Sequence, residues 1–358
     1  MKKILVTGSG GIGGVNFVRA LRATKEEFYI VGTDFNRYYI QFPQVDVRVR
    51  SPRHSDPKFI ELVSDLISKY KIDFLHPQPS SEAQVVTQNI EKIQTRTLLP
   101  SQNVIIRDKL ETQKILSQKN IPVAKTRTIQ SSNEIDDAFD SFKIKPVWVR
   151  AKKGAGGNLS LLCNSAEEIN YWVNLWVKKN KVGFSDFMIQ QNLPGRNLAW
   201  DSFWYEGKFI ASFTRERLEY PFKHISPSGI TGTPTVSKII VDEAVNKLGQ
   251  NSVMAIDSKP HGNYSVDLKG DENNNFHITE IDAGKFHTTT PLWGYIASKT
   301  LKMEPEKNLP YLYVMLGTQA IEPKTIGFDI YSEGLHLLRH LDCGVWLWKE
   351  DGYKEQIL

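Results

Sequence analysis

The chain has 358 residues, 40% apolar and 24% charged, which are ordinary globular values for two or three domains, and no apolar run approaches the length of a membrane span. The net charge of +5, from 45 basic and 40 acidic residues with no dense basic run, argues against nucleic-acid binding and leans toward small anionic ligands. Two distant cysteines, Cys163 and Cys343, and an N-terminus without a signal-peptide pattern lead us to expect reduced thiols in a cytoplasmic protein without a membrane partner.

Residues 2–7 read as a short apolar strand, followed by Gly8-Ser9-Gly10-Gly11-Ile12-Gly13 and a helical pattern through Phe17, Val18 and Leu21. In such a turn, backbone N–H groups and a helix N-terminus can approach an anion closely. A second strand over 29–33 ends at Asp34, about twenty residues further on, where a dinucleotide site places its ribose-binding acid. A helix over 57–69, a strand over 72–76, a helix near 82–93 and a strand over 97–99 complete an open parallel sheet of about four or five strands. His76, Ser80, Ser81 and Glu82 fall at its carboxyl end, either as ligand-facing groups or as plain loop and cap residues.

An amphipathic helix over 107–119 stops at Asn120, and Ile121-Pro122-Val123 leads into another strand. After a helix near 133–142, the strand 145–150 ends in Arg150 and runs into Lys152, Lys153 and a second glycine-rich loop, Gly154-Ala155-Gly156-Gly157-Asn158, before a strand over 159–163. Backbone N–H groups and these cations can fold over phosphates. The Tyr/Lys or His/Asp pair of a complete dehydrogenase does not follow.

A helix near 166–178 precedes Phe187 to Gly195, a strand broken at Pro194-Gly195. It resumes over 198–205, where Trp200 and Trp204 read as sheet core, and turns at Glu206-Gly207 into 209–215. Residues 220–235 are rich in Pro, Gly, Ser and Thr and read as a lid or binding loop, and a helix near 241–248 follows. Segments 263–269 and 276–282 then flank Gly270-Asp271-Glu272-Asn273-Asn274-Asn275, a hairpin pattern. Glu280 and Asp282 share a face about 7 Å apart, and with Lys269 opposite Phe276, Asp267 lies diagonal to Glu280 on that face. Like charges so close repel by several kcal/mol at an effective dielectric of about 20, so the trio suits a hard cation; the plain alternative is a wet hairpin face.

The ordered set Asp108-Lys109 opening a helix, Val147-Trp148-Val149-Arg150 before a glycine loop, Gln190-Gln191-Asn192-Leu193-Pro194-Gly195, Asp267 and Glu280-Ile281-Asp282 resembles the ATP-grasp superfamily. Within it, the chain resembles the carbamoyl-phosphate-synthetase-like and carboxylate–amine ligase branch. The resemblance implies an α/β plus α+β fold: a Rossmann-like pre-ATP-grasp domain over 1–106, a small lobe over 107–189 and a large lobe with a C-terminal extension over 190–358. It implies ATP and Mg2+ or Mn2+ as cofactors, and activation of a small carboxylate as an acylphosphate for attack by an amine. Lys109, Arg150, Lys152, Gly154, Gly156 and Gly157 would meet the phosphates, and Gln190, Gln191, Asn192 and Leu193 the adenine. Asp267, Glu280 and Asp282 would hold the metal.

Three positions depart from the family. Asn197 stands where an acid usually grips the ribose, Asp282 where Asn is common, and Lys285, one place late, where an arginine neutralises the acylphosphate. Lys cannot grip two oxygens in a planar fork. From the residues, Arg215 and Arg217 are candidates for the substrate carboxylate, or else surface partners of Glu216 and Glu219, while His224 and His287 read as structural or loop residues. The tail over 309–358 is expected to pack or to form a homodimer contact. Two other functions compete: an NAD(P)-dependent oxidoreductase using the first glycine loop, and a catalytically reduced nucleotide-binding homologue.

Overall fold

The computed structural model describes residues 1–153, 157, 159–180, 182–341 and 344–358. A front unit comprises β1 (Lys2–Thr7), α1 (Ile12–Arg22), β2 (Phe28–Asp34), β3 (Val47–Arg50), α2 (Lys58–Tyr70), β4 (Phe74–Pro77), α3 (Ser80–Gln88) and α4 (Gln102–Ile105). Its parallel sheet has the order β3-β2-β1-β4. Helices cover both faces, so β1 and β2 are buried as near-continuous apolar runs. The fourth strand is β3 rather than 97–99. Residues 97–99 form no strand, and the contact with β4 is a bridge between Phe74 and the preceding Arg96.

The middle of the chain forms α5 (Lys109–Gln118), β5 (Thr126–Thr128), α6 (Ile135–Asp140), β6 (Val147–Ala151), β7 (Leu161–Cys163), α7 (Ala166–Asn180) and β8 (Phe187–Gln191). Its antiparallel sheet runs β5-β8-β6-β7. Ile121-Pro122-Val123 leads into β5, as expected, and Val123 itself bridges to Ile278. Along β6 burial alternates, with Val147, Val149 and Ala151 inward and Trp148 and Arg150 on the other face. Cys163 is buried, with its thiol pushed up to about 12 by burial. Cys343 lies outside the described residues.

The rest forms β9 (Asn197–Tyr205), β10 (Lys208–Glu219), β11 (Val236–Ile240), α8 (Glu243–Ile256), β12 (Gly262–Gly270), β13 (Phe276–Ala283), α9 (Thr290–Lys299), α10 (Leu309–Gly317), β14 (His336–His340), β15 (Gly344–Trp348) and β16 (Lys354–Gln356). One antiparallel sheet runs β13-β12-β9-β10-β11-β14-β15-β16, so the tail strands extend it. Trp200 and Trp204 on β9 are buried, as expected for sheet core. Helices α9 and α10 join the units: Trp293, Tyr313 and Leu316 share one apolar cluster with Phe17 and Phe74 of the front unit. Asn16 Nδ2 donates to the Thr288 carbonyl at 3.0 Å, and Gln78 Nε2 to that of Phe286 at 2.8 Å. These bonds fix the front glycine loop against the chain leaving β13. Among the described residues no helix is long and apolar enough to cross a membrane.

Candidate functional site

A cleft of about 460 Å³ brings together Gly11, Arg150, Gln190, Asp267, Glu280 and Lys285, which come from all three sheets or their loops. The hairpin register explains how three carboxylates face it. Gly270, not Lys269, lies opposite Phe276, a one-residue slip from the expected pairing that by itself would turn Asp267 to the other face. A bulge at Thr279 reverses the slip, so Asp267 stands directly opposite Glu280 rather than diagonal to it. The Thr279 hydroxyl donates to the Asp267 carbonyl at 3.1 Å and closes the bulge.

Each carboxylate has its own cation. Arg217 grips Asp267 through both Nη atoms at 2.9 and 2.6 Å. Glu280 lies 2.9 Å from Arg150 Nη2 and 3.1 Å from Lys109 Nζ. Asp282 lies 3.0 Å from Lys285 Nζ and 3.3 Å from His287 Nε2. Burial works against ionisation of Asp267 and Asp282, but Arg217 in one case and Lys285 in the other more than offset it, and both carboxyls fall below the usual range. Burial also opposes the charge of Arg217, yet Asp267 raises that guanidinium overall.

Among the described residues no group of three His, Cys, Asp or Glu side chains is arranged as a metal cage. The donors nevertheless fit a divalent ion in kind: all three are carboxylates on one hairpin face, and hard cations take carboxylate oxygens.

Arg215 differs from expectation. Its side chain is 2% exposed, Asp201 holds its Nη1, and Nη2 lies 3.1 Å from His287 Nδ1. A guanidinium so enclosed is part of the scaffold rather than an open fork for substrate. Asp201 is in turn bonded by Ser265 at 2.6 Å and Thr290 at 2.9 Å. The surface pairings considered for Arg215 and Arg217 also fail: Glu216 binds Arg196 and Glu219 binds Lys223.

The remaining candidates are spread around the cleft. Gln190, Gln191, Asn192 and Leu193 line it, with the Gln190 amide turned back to Thr126 Oγ1 at 2.9 Å. Asn197 bonds the Tyr220 hydroxyl at 3.2 Å. The Lys152 backbone ties Lys109 to Asp186, while the Lys152 side chain does not line the cleft. Gly154 and Gly156 lie outside the described residues. Gly157 has φ +74°, and a Cβ there would sit 3.0 Å from Ile230 O and Ser228 Oγ, so this loop touches the 220–235 loop.

Sequence comparison is silent: no family model matches the chain, and neither does any curated protein. Solved structures do match. The chain is similar to the biotin carboxylase domain of Hydrogenobacter thermophilus 2-oxoglutarate carboxylase, solved with MgADP, ADP and bicarbonate, at 14% identity and TM-score 0.68 over 94% of this chain and 73% of that one. It is similar to N5-carboxyaminoimidazole synthetase from Staphylococcus aureus, complexed with ADP, at 15% identity and TM-score 0.68 over 94% and 82%. A third is L-amino acid ligase from Bacillus licheniformis, at 13% identity and TM-score 0.63 over 94% and 79%. The chain has the ATP-grasp fold.

In this ATP-grasp fold the first glycine loop opens into the same cleft. Asp34 is 5% exposed, and its two oxygens accept the Gly10 N–H at 3.0 Å and the Asn36 N–H at 2.8 Å. It anchors the loop from behind and has no face for a ribose. His76 is buried, stacked 4.0 Å from the Phe17 ring, so it is core, whereas Ser80 reaches the cleft. Sequence reasoning missed Asp201 and Lys269 and set His287 aside. Lys269 was legible, two residues from Asp267 and thus on its face; it lies 5.9 Å from the Trp148 ring. Asp201 was not, because its partners come from three distant segments.

Proposed function

We propose that the protein is an ATP- and Mg2+-dependent ligase that activates a small carboxylate as an acylphosphate for attack by an amine. The observation that carries this reading is Glu280, which receives Arg150 from β6 and Lys109 from α5 on the face it shares with Asp267. Acids and cations drawn from separate sheets around one cleft suit a triphosphate with its counter-ion. Two of the similar structures hold ADP, one of them as MgADP, which supports the same reading.

Asp267, Glu280 and Asp282 are the residues that would hold Mg2+, which when bound supplies charge neutralisation for the phosphates. Arg150 and Lys109, now matched to Glu280, then face the phosphate oxygens. Gln190, Gln191, Asn192 and Leu193 orient the base and Asn197 the sugar. Lys285, which lines the cleft, would supply positive charge to an acylphosphate formed there. Phosphoryl transfer needs positioning and positive charge more than a side-chain base, and this is what the residues supply. A cytoplasmic setting belongs to this reading.

The test is ADP release by the purified chain across panels of acids and amines. The reading requires release that depends on ATP, Mg2+ and an acid–amine pair together, and that falls by roughly a hundredfold or more in Glu280→Ala. AMP release, or release indifferent to Glu280→Ala, contradicts it.

A further inference from the structure

One wall of the cleft is built from the first turns of three helices. Gly11, Gly13 and Gly14 begin α1, Pro79 and Ser80 begin α3, and Thr288 and Thr289 precede α9, and all of them line the cleft. We propose that this wall binds a second anionic group, carboxylate or phosphate, on the substrate whose carboxylate is activated. The proposal rests on the ligase reading and narrows its substrate to a bifunctional anion.

The three helices are 11, 9 and 10 residues long, and none has a side-chain cap at its start. The leading N–H groups of such helices lack intrahelical acceptors, and each dipole places partial positive charge toward this wall. Side chains hold the ends in register: Asn16 bonds Thr288, Gln78 bonds Phe286, and Thr233 Oγ1 lies 2.9 Å from Thr288 Oγ1.

Two further observations point to a ligand. The Thr289 hydroxyl, on a residue 1% exposed, has no hydrogen-bond partner. At Gly11 a Cβ would meet nothing nearer than Gly8 O at 3.7 Å, so the α1 terminus opens onto free space, whereas at Gly13 and Gly14 a Cβ would collide at 2.5 Å. No Lys, Arg, Asp or Glu belongs to this wall; the cleft's Arg150, Arg215, Arg217 and Lys285 have carboxylate partners, and Lys269 stands on β12 beside the Trp148 ring rather than on the wall. Asp34 and Glu82 stand behind the loop without lining the cleft; Asp34 is bound by loop N–H groups, and burial pushes the Glu82 carboxyl up to about 7. A wall of neutral donors favours an anion over an ammonium group.

The test is thermal stabilisation of the full chain by inorganic phosphate, succinate or butyrate, with saturating Mg-ADP so that nucleotide-phosphate contacts are filled. Phosphate or succinate is expected to raise Tm and butyrate not to; response to phosphate alone assigns a phosphorylated acid, to succinate alone a dicarboxylate. Gly11→Asp puts a carboxylate at the α1 N-cap, so it folds at least as stably as the parent yet should need roughly tenfold more of the anion for the same shift. Thr289→Val should weaken the response in the same direction. Equal anion responses in Gly11→Asp and parent, or no response to either dianion, overturn the proposal. Loss of the Mg-ADP shift in the parent instead removes the ligase reading, and the anion titration without nucleotide then still judges the wall.

Discussion

Arg215 Nη2 lies 3.1 Å from His287 Nδ1, and because a guanidinium can only donate, that ring nitrogen must accept. The proton of the neutral imidazole therefore sits on Nε2, which faces Asp282 Oδ2 at 3.3 Å. His287 thus links the buried Arg215–Asp201 pair to a proposed metal carboxylate and fixes where that carboxylate points. Nitrogen NMR of the labelled chain at neutral pH should show the Nε2–H tautomer for His287. An Nδ1–H signal contradicts the arrangement.

Asp201 is fully buried and compensates an equally buried arginine. Asp201→Ala should cost about 3–5 kcal/mol in urea unfolding, because it leaves a charge without its partner. Replacing both residues, as in Asp201→Leu with Arg215→Met, should recover most of that loss. If Arg215 served only to grip substrate, Asp201→Ala would leave stability nearly unchanged.

Gly157 should tolerate no side chain. Its φ of +74° disfavours L-residues, and a Cβ would press on the Ile230 carbonyl. Gly157→Val should separate the two loops and raise KM for ATP by roughly fivefold or more, a cost of about 1 kcal/mol, with little change in Tm. An unchanged KM would show that this contact does not shape the nucleotide end.

Two buried groups of the front unit titrate in opposite senses. Burial raises the Glu82 carboxyl from 4.5 to about 7, so the stability tied to its proton is full below pH 4.5 and is lost as pH rises through 7. Burial lowers His76 from 6.5 to about 4, so its contribution is present above 6.5 and is lost as pH falls toward 4. Each amounts to about 3 kcal/mol, and over pH 4.5–6.5 they cancel. Urea unfolding of Glu82→Gln should therefore show stability rising with pH more steeply across that range than in the parent. Parallel profiles would contradict this assignment.

The parts of the fold that were legible in the sequence are those set by local pattern. The glycine turn after β1, the periodic face of α2 and the existence of the β12–β13 hairpin each read correctly; in α2 burial on one face imposes the period. The shared face of Asp267 and Glu280 was also foreseen, though by the wrong pairing: a register slip and the bulge at Thr279 cancel, and no single-strand pattern encodes either. Asp34 occupied the spacing of a ribose acid but is spent on the loop's own N–H groups, which only the turn geometry discloses. Arg215 and Arg217, two residues apart on one face of β10, have opposite fates because Asp201 and Asp267, from other strands, decide which is enclosed.

The central claim is that acids of the β12–β13 hairpin and cations of β6 and α5 together hold a metal-bound triphosphate. Calorimetric titration of ATP into the purified chain, with and without Mg2+, tests it most directly. The account predicts saturable binding that Mg2+ strengthens, and loss of that Mg2+ dependence in Glu280→Ala. Saturable binding of NADH with no heat from ATP would contradict it.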